Sequence, residues 1–109
     1  MGKAEQQKGR AGELELCRVL RGHGFPVSPG MAASYGCTPD LVGLPGVHIE
    51  CKRVERLNLH GAMAQSVRDS ERFLDGVPTV FHRRNREGWL VTMRVEDWLS
   101  LYGGAAERG

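Results

Sequence analysis

The chain has 109 residues, a length that fits one compact domain and little else. Hydrophobic residues make up 40% and charged residues 26%, an ordinary globular balance, and no apolar run approaches the roughly 18 residues of a spanning helix. The net charge is only +2, which neither demands nor excludes nucleic acid, so the placement of charge matters more than its sum.

The polar stretch from Met1 to Arg10 lacks an apolar segment of the secretory type, so no secretory signal is expected. Three cysteines, Cys17, Cys37 and Cys51, are an odd count with no CxxC pairing. They predict neither a disulfide framework nor a structural zinc site, and they fit a reducing cytoplasm.

Lys8 to Gly22 reads as a helix, because Leu16, Cys17, Val19 and Leu20 recur at helical spacing before Gly22-His23-Gly24. Phe25 to Ser28 reads as a short strand, and Pro29 to Thr38 as a loop rich in small residues. Asp40 to Leu44 and Val47 to Arg53 read as strands joined at Pro45-Gly46. Asn58 can cap a helix from about Leu59 to Leu74, with Met63, Val67, Ser70 and Leu74 on its inner stripe. Val77 to Arg83 and Trp89 to Arg94 read as a second hairpin around Asn85 to Gly88. A closing helix, Val95 to Tyr102, has Glu96 and Asp97 in its first turn, where the dipole favours acids. Residues 1–102 thus form one domain, and 103–109 read as a flexible tail. The order α-β-β-β-α-β-β-α predicts an α/β fold with a central mixed sheet flanked by helices.

The segment Pro39 to Lys52 breaks the local rules. It places Asp40, Glu50 and Lys52 among Leu41, Val42, Val47 and Ile49. Charges near a core are costly unless paired or bound to metal, so such violations mark candidate sites. If Leu44-Pro45-Gly46 form a three-residue loop, Glu50 lies opposite Asp40 at a Cβ distance of about 5 Å, with Lys52 on the same face. A two-residue loop would put Asp40 on the other face. The three-residue register is preferred because it keeps one apolar face, on which Cys51 lies, and one polar face. Two carboxylates sharing a face suit a hard cation such as Mg²⁺ or Mn²⁺, and Lys52 can offset charge developing at a phosphorus. Glu13 precedes Leu16, Cys17 and Leu20 by three, four and seven residues, so it lies on the apolar stripe of the first helix and points toward the sheet. Glu15 faces Arg18 instead. His48 shares the Asp40/Glu50 face and reads as a partly exposed strand histidine. Trp89 and Trp98 lie in apolar patterns and read as core.

Lys8-Gly9-x-x-x-Glu13, Pro39-Asp40, Glu50-x-Lys52 and the following helix with Gln65 together resemble the PD-(D/E)XK nuclease superfamily. The arrangement is most similar to the small Holliday junction resolvases of archaea and the resolvase-like nucleases of phages, over roughly Lys8 to Met93. The resemblance implies a restriction-endonuclease-like core and a Mg²⁺-dependent DNA endonuclease, with Mn²⁺ as an alternative ion. It implies that Asp40, Glu50 and the Cys51 carbonyl hold the metal, that Glu13 contributes directly or through water, and that Lys52 is the catalytic lysine. Gln65 then supports the site, and Ser34 sits in a loop near the scissile phosphate. The stretch Pro26 to Gly30 has no base where resolvases often carry an arginine.

Lys52 to Arg94 holds nine Lys/Arg and five Asp/Glu. Lys8 and Arg10, Arg53 and Arg56, and Arg83 and Arg84 are the expected contacts to a DNA backbone. A chain with one site needs a second copy to cut two strands symmetrically, so a homodimer on branched DNA is expected, with Trp98, Leu99, Leu101 and Tyr102 as its candidate surface. Other members of the superfamily's range (nickase, flap, repair or restriction-like nuclease) and a non-catalytic DNA-binding module of the same fold are the alternatives.

Overall fold

A computed structural model describes residues 3–30 and 39–108. Helix α1 spans Lys3–Gly22, followed by β1 (Ser28–Pro29), β2 (Leu41–Val42) and β3 (Val47–Arg53). Helix α2 spans Leu59–Phe73, β4 Val77–Arg83, β5 Leu90–Met93 and α3 Val95–Arg108. The chain is therefore an α/β domain with three helices and mixed sheets, in the order read from the sequence. Among the described residues no helix is long and apolar enough to cross a membrane.

The main sheet has the order β3-β4-β5. Strands β3 and β4 run parallel, in register from Val47↔Val77 to Arg53↔Arg83. Parallel neighbours need a long crossover, and α2 supplies it. Its ends are well defined: the Asn58 side chain accepts from the Gly61 N–H at 3.0 Å, and Leu74 closes the helix in a left-handed conformation, φ 51°. Strand β5 returns antiparallel to β4, so the second expected hairpin forms.

The first expected hairpin does not. Among the described residues β2 and β3 share no ladder; β2 pairs antiparallel with β1 through Ser28↔Val42 and Pro29↔Leu41. Gly43 explains the departure. It adopts φ 111°, and a Cβ there would collide with the carbonyl of Pro26, so the chain is drawn against β1 before it turns. The Leu44–Val47 turn is closed by a 3.1 Å backbone bond, and Val77 donates to the Gly46 carbonyl at 2.9 Å, which starts β3 beside β4.

Helix α1 covers one face of β3. Leu16 and Cys17 bury against Val27, Leu41, Ile49 and Phe81, with Cys51 and Trp89 packed on that cluster. Gly12 permits the approach, since a Cβ there would lie 2.5 Å from Arg53 Cβ. The other face, carrying His48, Glu50 and Lys52, turns to α2. That helix presents small residues, Ala62, Ser66 and Ser70, as its buried stripe. Leu74, expected inside, is the cap residue and is 87% exposed, because the left-handed turn swings it off the stripe.

Three further expectations change. Helix α3 continues to Arg108, so residues 103–108 are helical. Trp98 is 50% exposed and stacks on Tyr102, ring centroids 5.3 Å apart, instead of entering the core. Glu15 pairs with Arg83 and accepts from Trp89 Nε1 at 3.1 Å; it is not an Arg18 partner. The parallel strand order brings β4 beside β3 and within reach of α1, which periodicity within one helix does not reveal.

Candidate functional site

The charged residues meet at the outer edge of β3. Glu50 and Lys52 are two residues apart on one strand and share a face. Glu50 is only 4% exposed. Its Oε2 lies 3.7 Å from Lys52 Nζ. Lys52 Nζ donates to Gln65 Oε1 on α2 at 2.9 Å, so the ammonium is held in place by one helix and one strand. Gln65 thus touches the lysine it was expected to accompany.

Glu13 enters from α1 and is half-buried. Burial, then the nearby Asp40, push its carboxyl up to about 7, with Glu50 acting in the same direction and Arg10 and Lys52 against it. Asp40 arrives just before β2, anchored by its carbonyl, which accepts from the Gly30 N–H at 2.8 Å. Its residue surface is open to solvent, yet its carboxyl is partly enclosed; burial and then Glu50 raise it above the usual carboxylate range. The Glu50 charge therefore acts on Asp40, although the two do not face each other across a hairpin; among the described residues the acidic and histidine side chains whose ligand atoms come within 4.8 Å of one another are His48, Glu50 and Asp69, and this group includes neither Asp40 nor Glu13. Cys51 keeps its side chain on the core side, and burial pushes its thiol up to about 12, so it is an inert packing group.

His48 was expected to be partly exposed and is 2% exposed. Its Nδ1 faces Asp75 at 2.8 and 3.0 Å, and its Nε2 faces Glu50 Oε1 at 3.3 Å. Phe73 stacks on the ring at 6.5 Å. Burial alone pulls this imidazole down, but Glu50 and Asp75 together lift it above its ordinary value. Asp69 on α2 completes the cluster: His48, Glu50 and Asp69 each offer one ligand atom within 4.8 Å of the others. Asp69 and Asp75 carried no signal in the sequence, because their roles depend on α2 lying over β3.

The basic residues divide. Arg83 is committed to Glu15, to the Arg84 and Glu87 carbonyls at 3.2 and 3.0 Å, and to the Trp89 ring at 6.0 Å. Arg84 pairs with Glu87 at 3.8 Å on the surface. Arg53 donates to Asn85 at 2.6 Å and lies 3.5 Å from Glu55. Arg10 and Arg56 are exposed, Lys8 lies in α1, and Ser34 falls outside the described residues. The positive surface is accordingly narrower than the sequence suggested.

No protein-family model matches the chain, and no curated protein matches it. The functional reading therefore rests on the geometry of these residues.

Proposed function

We propose that the protein is a metal-dependent DNA endonuclease of the PD-(D/E)XK type, with a restriction-endonuclease-like core, acting on branched DNA. The observation that supports this reading is Glu50 and Lys52 side by side on one face of β3, with Lys52 tied to Gln65 on α2, and with Glu13 of α1 and Asp40 at the start of β2 close enough for their charges to act on one another. Such a group needs three separate chain segments to meet at one buried strand edge, which a solvated salt-bridge face does not require.

The donor set fits a hard cation. Glu13 and Asp40 are each raised by burial and by a neighbouring carboxylate, so the site holds more negative charge than Lys52 offsets. Asp40, Glu50 and Glu13 would hold Mg²⁺, or Mn²⁺ in its place, with the Cys51 carbonyl as the further ligand the resemblance implies. The ion supplies charge neutralisation and Lewis acidity at a phosphoryl oxygen. Gln65 takes one N–H of the Lys52 ammonium and holds it at the rim, where the two remaining N–H donors can stabilise charge building on the phosphate. Glu50, shielded from water, is positioned by His48 and takes no part in DNA contact.

A second copy would supply the second cut. Helix α3 exposes Trp98, Leu99, Leu101 and Tyr102, and Leu90 and Val91 on the edge strand β5 are exposed as well. These residues form the surface on which the proposed homodimer closes.

Cleavage of a synthetic four-way junction in Mg²⁺, beside linear duplex of matched sequence, tests the proposal. The junction is expected to be cut and the duplex left largely intact. Equal cutting of flaps or linear duplex would transfer the reading to a flap, nicking or restriction-like enzyme. Salt-sensitive binding without cleavage in Mg²⁺ or Mn²⁺ would leave only a DNA-binding module.

The DNA contacts make a separate prediction. Arg10→Ala and Arg56→Ala should each weaken junction binding and lower the slope of log affinity against log salt by about one. Arg83→Ala should leave that slope nearly unchanged while lowering the urea midpoint, because its guanidinium is engaged with Glu15 and Trp89. A full unit of slope lost in Arg83→Ala would place that arginine on the DNA.

A further inference from the structure

A cavity of about 430 Å³ opens at the carboxyl ends of β3 and β4, just before α2 begins. Ligands of α/β sheets sit at such strand ends, and this volume lies in the ordinary range for small-molecule sites. Val54, Leu57, Trp89 and Leu90 supply apolar walls, and His82 supplies a polar one. Leu90 is exposed, so the cavity opens beside the surface assigned to the dimer. His82 is the register partner of Lys52, on the same face of adjacent strands about 4.8 Å apart. The cavity therefore adjoins the candidate site, one strand over.

Its charged rim is already matched. Arg83 is bound to Glu15, and Arg84 lies 3.8 Å from Glu87. Glu55 accepts from the Asn85 N–H at 2.8 Å and faces Arg53 at 3.5 Å. These bonds also fix the β4–β5 turn against β3 and α1, so the cavity is preformed. Among the described residues that line it, each charged group has its partner, and neither arginine is left over for a phosphate. An anionic ligand thus gains little here, whereas an uncharged, flat one can bury its faces on the apolar walls. His82 Nε2 sits 2.9 Å from Thr92 Oγ1, which leaves Nδ1 as the hydrogen-bonding atom of that wall. Burial lowers this imidazole from its ordinary value, so it is uncharged near neutral pH. A flat, uncharged ring with polar edge atoms is the chemistry of a nucleobase.

We infer that this cavity receives one unpaired nucleobase of the DNA, next to the proposed metal site. Placing that base in a DNA substrate rests on the nuclease reading. Taking a base out of the stack costs least where it is already unpaired, and most in an intact duplex. The cavity would therefore bias the protein toward DNA whose branch point leaves a base free.

Gly88 provides the test. It lines the cavity, its φ lies outside the left-handed region, and a Cβ there would meet nothing within 4 Å, so Gly88→Leu fills space without backbone strain. Val54→Phe narrows the cavity from the β3 side. Deoxyadenosine is titrated into the ¹⁵N-labelled full chain without divalent ions and followed by NMR, which also reports the folding of each variant. Saturable shifts at the Trp89 indole N–H and at the Val54 and Leu90 amides are expected, with inorganic phosphate leaving them in place. Both variants should weaken deoxyadenosine binding by about tenfold or more, the scale of one lost base-stacking contact. In the same buffer, each should lower the affinity for a branched DNA carrying one unpaired nucleotide at its branch point by a similar factor, and leave the affinity for linear duplex unchanged. Absence of saturable shifts, phosphate competing for the same amides, or a branched-to-duplex affinity ratio unchanged in the folded variants would overturn the inference. Cleavage plays no part in these measurements. A protein that binds the base and never cuts DNA loses the nuclease reading and keeps this cavity, and one that cuts without binding the base does the reverse.

Discussion

Lys52→Ala is expected to lower Mg²⁺-dependent cleavage by about 10²- to 10³-fold, the loss typical of removing one preorganised donor from a developing anion. Junction binding should change little, because affinity comes from backbone contacts spread over other residues. The geometry gives the reason. Lys52 Nζ is fixed by Gln65 Oε1 at 2.9 Å and stands 3.7 Å from Glu50, so its charge is positioned at the site rather than spent in a tight ion pair. Gln65→Ala should have a smaller effect, about tenfold, since the ammonium remains but loses its anchor. Asp40→Asn should match Lys52→Ala in cleavage and differ in mechanism: it should also weaken Mg²⁺ binding. Gel-based cleavage rates beside binding isotherms at one salt concentration separate these outcomes. Full cleavage by Lys52→Ala or Asp40→Asn would end the nuclease assignment.

Glu13 carries the second large effect, and its sign is opposite for stability and for function. Its carboxyl is raised from an ordinary 4.5 to about 7, first by burial and then by Asp40. The folded protein therefore holds this proton more tightly than the unfolded chain does. Its contribution to stability falls as pH rises from about 4.5 to about 7, and stays low above that. The carboxyl is only half-buried, so after solvent screening the penalty at pH 8 is on the order of 1–2 kcal/mol. Glu13→Gln removes that charge while keeping the shape. Without divalent ions it should melt several degrees above the parent at pH 8 and show little difference at pH 5. Saturating Mg²⁺ should raise the melting temperature of the parent more than that of Glu13→Gln, because the ion offsets the repulsion in the parent. Cleavage should fall in the variant. Scanning calorimetry at both pH values, with and without Mg²⁺, checks all three; a variant no more stable than the parent at pH 8 would remove Glu13 from the cluster. A residue that destabilises the metal-free fold and is kept for its charge is the usual mark of a site tuned for function.

Local structure was largely legible in the sequence. The 3.6-residue spacing in Lys8 to Gly22, the Asn58 cap and the alternation in Val47 to Arg53 all depend on near neighbours, and each produced its element. The placement of Glu13 on the inner stripe of α1 followed from the same local geometry, as did Glu50 and Lys52 on one face of β3. Tertiary structure decided what lay beside them. The Pro45-Gly46 turn read as a hairpin, but Gly43 draws β2 against β1 and the α2 crossover sets β4 parallel to β3. Asp40 still feels the Glu50 charge, now from the start of β2 instead of across a ladder. His48, Asp69 and Asp75 meet only because the small residues Ala62, Ser66 and Ser70 let α2 lie close to the sheet. Periodicity records which way a side chain points along its own element; it carries no information about which distant element it will meet, and that pairing is what completes the site.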